Sequence, residues 1–216
     1  MIAEKQNLEI GKKIASMLLD IEAIKLNVDK PFVWSSGWNS PIYCDNRLSL
    51  SFPQVRDYIK EQLVNLVTQN YPGVEAIAGV ATAGIPQGAL IADNMSLPYL
   101  YVRSKPKGHG MENLIEGKVT KGQKVVVVED LVSTGGSSLK AAEALQWAGF
   151  EVLGMVAIFT YGFDLAKINF EKANLPLSCL SNYTLLIEEA AQRQLVSEDQ
   201  ISLLESWRKT PDQWGK

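Results

Sequence analysis

Four valines in succession, residues 125–128, lead into Glu129 and Asp130 and then into a turn of small residues, Ser133, Thr134, Gly135, Gly136 and Ser137. β-Branched residues without a polar partner between them fit a strand covered on both faces, as in a parallel sheet packed between helices. Other apolar runs support that setting. "EAIAGVA", "PYLYVR" and "EVLGMVAIFTY" read as strands, and "IPQGALIADNM" and "SLKAAEALQWAG" as helices, the last closed by Gly149. Strands and helices in alternation predict an α/β fold with a central parallel sheet flanked by helices. With 216 residues, 46% of them hydrophobic, the chain can bury one sizeable core, and a single domain over 1–216 is expected.

The flanking segments add to this frame. "MIAEKQNLEIGKKIASMLLD" mixes acids with lysines and lacks a continuous apolar core, so it reads as an amphipathic helix, neither a secretory signal nor a membrane span. The following "NVDKPFVWSSGWNSPIYCDNRLSLSF" is turn-rich, with short β-like runs at 32–34 and 42–44. Ser51 followed by Pro53 predicts a helix start, with Val55, Ile59, Leu63, Leu66 and Val67 along one face. Residues 104–123, "SKPKGHGMENLIEGKVTKGQ", are polar and without periodicity, which in a compact domain marks a functional or mobile loop. Ser197 and Gln200 form a capping-box pattern ahead of a last amphipathic helix. A net charge of −3 with no long basic run argues against nucleic acid or an anionic membrane as partners. Cys44 and Cys179 form no CxxC pair, so no zinc site or disulfide framework is expected, and two reduced thiols suit a cytoplasmic protein.

Ligands on parallel sheets sit beyond the carboxyl ends of the strands, where Glu129 and Asp130 fall. The turn behind them supplies hydroxyls and unobstructed backbone N–H groups at a helix N-terminus, an arrangement that attracts phosphate. Carboxylates do not bind phosphate directly, but they suit the hydroxyls of a sugar or a magnesium ion with its waters. Together the parts fit a sugar phosphate. An ordinary capped helix is the competing reading, because Ser and Thr are common caps and acids complement a helix dipole. Neither GxxxxGK[ST] nor a GxGxxG between strand and helix is present, so kinase and dinucleotide-binding readings gain no support.

"VVVVEDLVSTGGSS" resembles the phosphoribosyl diphosphate (PRPP) signature of the type I phosphoribosyltransferases. "SSGWNSPIYCDNR", "GVATAGIP" and "YVRSKPKGHG" resemble the orotate-using branch of that family, in the family's order. The resemblance implies that Glu129 and Asp130 contact the ribose hydroxyls and that the Ser133, Thr134, Gly135, Gly136, Ser137 turn holds the 5′-phosphate, with Leu131 and Val132 also among the substrate-binding residues and Ser133 also near the base. It implies that "GVATAGIP", residues 79–86, presents backbone amides to the diphosphate. Arg103, Lys105, Lys107 and His109 would lie on a flexible catalytic loop, residues 103–118, that closes over PRPP in a neighbouring subunit, so a homodimer with shared sites is expected. Arg103, Lys107 and His109 would stabilise the leaving diphosphate, while Asp130 would act as an electrostatic and positioning group. A small hood, about residues 1–50, would cover the base, with backbone groups near Tyr43 and Cys44 bonding the ring and Trp34, Trp38 and Tyr43 shaping the pocket.

The implied activity is transfer of the phosphoribosyl group from PRPP to orotate, giving orotidine 5′-monophosphate and diphosphate in pyrimidine synthesis. Magnesium would be held mainly through PRPP and water and not by a protein cage. Ser35 stands where many relatives have lysine, Thr82 and Ala83 where some have Tyr-Lys, and "TYGFDLAK" has no arginine for the carboxylate of the base. Two other readings share the PRPP motif. One is a phosphoribosyltransferase for another base, and the other a PRPP-sensing regulator.

Overall fold

In the computed structural model, which describes residues 2–34, 36–105 and 114–214, the valine run is the middle of a nine-residue strand. The chain opens with α1 (Ile2–Asp20), four short strands β1 (Ile24–Leu26), β2 (Phe32–Val33), β3 (Asn39–Ser40) and β4 (Ile42–Cys44), and a 3-10 turn over Asn46–Ser51. Next come α2 (Pro53–Asn70), β5 (Ala76–Val80), α3 (Gly84–Met95), β6 (Tyr99–Val102), β7 (Ile115–Glu116), β8 (Lys124–Val132) and α4 (Gly136–Trp147). β9 (Glu151–Thr160), α5 (Asp164–Lys172), β10 (Leu177–Asn182), α6 (Tyr183–Gln192) and α7 (Glu198–Lys209) complete it.

One six-stranded sheet runs in the order β10-β9-β8-β5-β6-β7, parallel except for β7, which is antiparallel to β6. This is the expected parallel sheet with helices on both faces. Val126 and Val128 enter the core shared with α1, α2 and α3, whereas Val125 and Val127 enter the one beneath α4 and α5. All four are fully buried, each side chain contributing about 1.5–3 kcal/mol relative to exposure. Chain order reverses between β5 and β8, since β6 follows β5 on one side and β9 follows β8 on the other. A crevice therefore opens at the carboxyl ends of those two strands.

Glycines set how closely α3 approaches this crevice. A Cβ on Gly84 would stand 2.4 Å from the Val128 carbonyl oxygen, and one on Gly79 would stand 2.8 Å from that of Gly84. The turn at 81–84 thus packs directly on β8 beside the acids. Its Ala81–Thr82 peptide is cis.

Three features depart from the sequence pattern. Pro53 occupies the first turn of α2 as expected, but the cap is Phe52, and Ser51 belongs to the preceding 3-10 turn. Within the polar loop, Ile115 and Glu116 pair with Val102 and Tyr101 as an edge strand. α5 and β10 left little pattern to read. α5 buries only Ala166 and Phe170, and β10, "LSCLSN", is an edge strand rich in polar residues. α1 follows its amphipathic reading, burying Ile14, Ala15 and Leu18 against the sheet core. The capping box at Ser197 and Gln200 forms at both hydrogen bonds.

Candidate active site

The acid pair lies inside β8, three and two residues before its last residue, Val132. Side-chain alternation holds through Val128 and reverses beyond the acids, where Leu131 packs with the α2-side core and Val132 with the α4-side core. Neighbouring carboxyls that strict alternation would separate are thereby brought close enough for the charge of Asp130 to act on Glu129. Glu129 is 6% exposed, accepts from the Ser138 hydroxyl at 2.9 Å and from the Asp130 backbone N–H at 3.0 Å. Burial, reinforced by the charge of Asp130, pushes its carboxyl well above the ordinary range. Asp130 is raised as well, again by burial, with its hydrogen bonds and Arg47 pulling the other way.

Behind them the turn is built for glycine and opens the N-terminus of α4. Gly135 caps α4 with φ +81°, a left-handed conformation, and a Cβ there would meet the Phe170 ring at 2.7 Å. Among the described residues no side chain caps α4, while Gly136 and Ser137 are exposed, so the first N–H groups of the helix face outward. Asn169 holds the turn from α5 by donating to the Thr134 carbonyl at 3.0 Å. Val132 is fully buried, and its carbonyl accepts from Thr160, which leaves no side chain for a ligand. Leu131, Ser133 and Thr134 do reach a cavity.

That cavity, of about 660 Å³, lies between β8 and the hood. The hood contributes Trp34, Trp38, Tyr43, Cys44 and Arg47, and the sheet adds Tyr161. β1 pairs antiparallel with β4 and β2 with β3, which fixes the backbone around Tyr43 and Cys44. Trp34 stacks on Tyr161 with centroids 5.1 Å apart and meets Trp207 edge-on at 5.6 Å, so it belongs to the aromatic core as much as to the pocket. Trp38 makes none of the ring contacts of that cluster among the described residues.

Sequence reasoning missed the residue that joins hood to sheet. Asn46 is 1% exposed, donates to the Asp130 carbonyl at 2.9 Å, and accepts from the Cys44 thiol at 3.4 Å. Ser49 bonds the Asn46 carbonyl at 2.6 Å and accepts from Gln87 of α3 at 3.4 Å. One polar chain therefore links β4, the acid pair and the helix behind the 81–84 turn. A single buried Asn in a turn-rich segment gives no periodic signal, which is why it escaped notice.

The cationic loop is described in part. Arg103 follows β6 at the same carboxyl edge, its backbone N–H bonded to Leu114 and its guanidinium 3.5 Å from Glu116. Lys105 is exposed. Lys107 and His109 fall outside the described residues. Among the described residues no group of three or more His, Cys, Asp or Glu is arranged to hold a metal ion, and no helix is long and apolar enough to cross a membrane.

Comparison with known proteins adds independent support. The phosphoribosyl transferase domain family matches residues 52–178. The chain is 63% identical over 205 residues to an orotate phosphoribosyltransferase of Cytophaga hutchinsonii, covering 95% of this chain and 98% of that protein. An orotate phosphoribosyltransferase of Porphyromonas gingivalis is 55% identical over 206 residues, with 95% and 98% covered. Among solved structures, the orotate phosphoribosyltransferase of Aeropyrum pernix superimposes with a TM-score of 0.73 at 29% identity, covering 85% of this chain and 99% of that one.

Proposed function

From a chain that belongs to the phosphoribosyltransferase family and, within it, to the orotate phosphoribosyltransferases, we infer a transferase that moves the phosphoribosyl group of PRPP onto orotate. Orotidine 5′-monophosphate and diphosphate are the products, and pyrimidine synthesis is the setting. The observation that carries this reading is the acid pair and open helix N-terminus on one side of a crevice whose other side is an aromatic cavity.

In this proposal Glu129 and Asp130 take the ribose hydroxyls, and the backbone N–H groups at residues 133–137 take the 5′-phosphate. Hydroxyl donors favour the ionised form of two carboxyls that burial has raised, so sugar binding and ionisation of the pair favour each other. During transfer the bond from ribose C1 to the diphosphate oxygen breaks, the bond from C1 to a ring nitrogen of orotate forms, and the proton of that nitrogen passes to the departing diphosphate. Charge accumulates on the departing diphosphate. The turn at 81–84 approaches it with backbone, and Arg103, Lys107 and His109 of the 103–118 loop stabilise it, Lys105 assisting in binding. Exclusion of water strengthens each of these contacts and prevents hydrolysis of PRPP. Asp130 positions the ribose and stabilises positive charge at C1.

The donor set fits magnesium that arrives with PRPP, because Glu129 and Asp130 are too few to cage an ion and their oxygens are partly engaged already. When bound, magnesium would neutralise the diphosphate. We further propose a cytoplasmic homodimer in which the loop of one subunit completes the site of the other.

Loss of orotate absorbance in the presence of PRPP and magnesium tests the function. Wild type should consume orotate and release one diphosphate per orotate, and Lys107→Ala should be nearly inactive. Activity with adenine or hypoxanthine in place of orotate would overturn the choice of base. Mixing Lys107→Ala with Asp130→Asn protein should restore part of the activity, because a mixed dimer holds one intact site. No recovery despite demonstrated subunit exchange would overturn the shared site.

A further inference from the structure

Orotate is an anion at neutral pH, and a carboxylate placed among aromatic side chains needs a cation or several N–H donors to replace its water. "TYGFDLAK" offers no arginine after β9. Among the described residues lining the cavity, one is a lysine or arginine: Arg47.

We propose that Arg47 receives the carboxylate of the base and so sets the preference for orotate, an inference that rests on the function proposed above. Arg47 is anchored from behind. Asp45 takes its Nε at 2.6 Å and Nη2 at 2.8 Å, and also accepts its backbone N–H at 3.2 Å as the cap of the 3-10 turn. Asp45 is itself held, donating its N–H to the Ala23 carbonyl at 2.7 Å. The two ends of the pair face different surroundings. The Arg47 side chain is 58% exposed and Arg47 lines the cavity, while the Asp45 side chain is 17% exposed and Asp45 is not among the lining residues.

A guanidinium has five N–H groups, and the Asp45 carboxylate occupies one edge of the fork. Nη1 and the second proton of Nη2 form another edge, able to take a second carboxylate in parallel bonds. Ser133, Thr134, Tyr43 and Cys44 line the same cavity, so a ring bonded at the β4 backbone is within the space that Arg47 also borders. Asp45 fixes the fork in advance, which reduces the ordering required on binding.

A purely structural ion pair is the competing account, and the two differ in what Arg47→Gln does. On the proposal, Arg47→Gln raises the KM for orotate about ten- to a hundredfold, as for loss of a charge-assisted bond. The KM for PRPP stays within about twofold, and Arg47→Lys recovers part of the loss. Preference for orotate over uracil, the same ring without the carboxylate, should fall by a similar factor. Melting temperatures of both variants, measured alongside, should match wild type because the side chain is largely exposed. An unchanged KM for orotate in Arg47→Gln, or equal losses for orotate and PRPP, would overturn the assignment. Wild-type protein that turns over another base and no orotate would overturn the underlying function, and this proposal with it.

Discussion

The two sides of the crevice are built by opposite means. The acid pair and the turn proposed to hold the 5′-phosphate come from one unbroken stretch, residues 129–137, whose strand-to-helix geometry places every group. The base cavity draws on three separate stretches, 33–47, 131–134 and 161, and relies on Asn46 and Trp34 to hold the hood against the sheet. One side is local, with two carboxyls pushed up by burial. The other is assembled, and its aromatic residues divide between holding the fold and meeting the base.

The sharpest break in that division is between two tryptophans. Trp34→Ala should destabilise by about 3 kcal/mol or more, as expected when an aromatic leaves a packed cluster, seen as a lower urea midpoint. Trp38→Ala should leave the midpoint nearly unchanged and raise the KM for orotate several-fold. Equal destabilisation by both would remove the distinction between core and pocket.

On the local side, Asp130→Asn should lower kcat/KM about a hundredfold through loss of a charged hydrogen-bond acceptor, without lowering the melting temperature. Gly135→Ala combines a left-handed backbone with the 2.7 Å contact to Phe170. It should destabilise by about 1–3 kcal/mol and raise the KM for PRPP, both read from one purified variant.

The smallest effect concerns Glu129. In the unfolded chain its carboxyl ionises near pH 4, whereas burial raises it in the fold. Its contribution is therefore fully present below about pH 4 and is lost as pH rises toward the raised value. Glu129→Gln keeps the shape and can still bond Ser138. Its melting temperature should exceed that of wild type by a few degrees at pH 7–8, the effect of about 1 kcal/mol in a chain of this size. The gap should close as calorimetry is repeated toward pH 4.

This contrast also governs what could be read in advance. The valine run, the acids and the turn are contiguous, so pattern and motif located the β8 edge, and the resemblance supplied the chemistry. The parallel sheet followed from apolar runs long enough to be unambiguous. α5 escaped because it buries only two residues, and β7 because a two-residue edge strand has no period. Asn46, Gln87 and the orientation of Arg47 were hidden for another reason. Each acts through a partner distant in sequence, as in the Asn46 bond to Asp130 or the Gln87 bond to Ser49. Arg47 and Asp45 are two residues apart, and which of them faces the cavity depends on the fold of the hood.

Calorimetric titration of magnesium–PRPP into wild type, Asp130→Asn and Trp38→Ala tests the division of labour most directly. The account predicts that Asp130→Asn weakens PRPP binding at least tenfold while Trp38→Ala stays within about twofold of wild type. Unchanged PRPP affinity in Asp130→Asn, or a loss in Trp38→Ala as large, would contradict it.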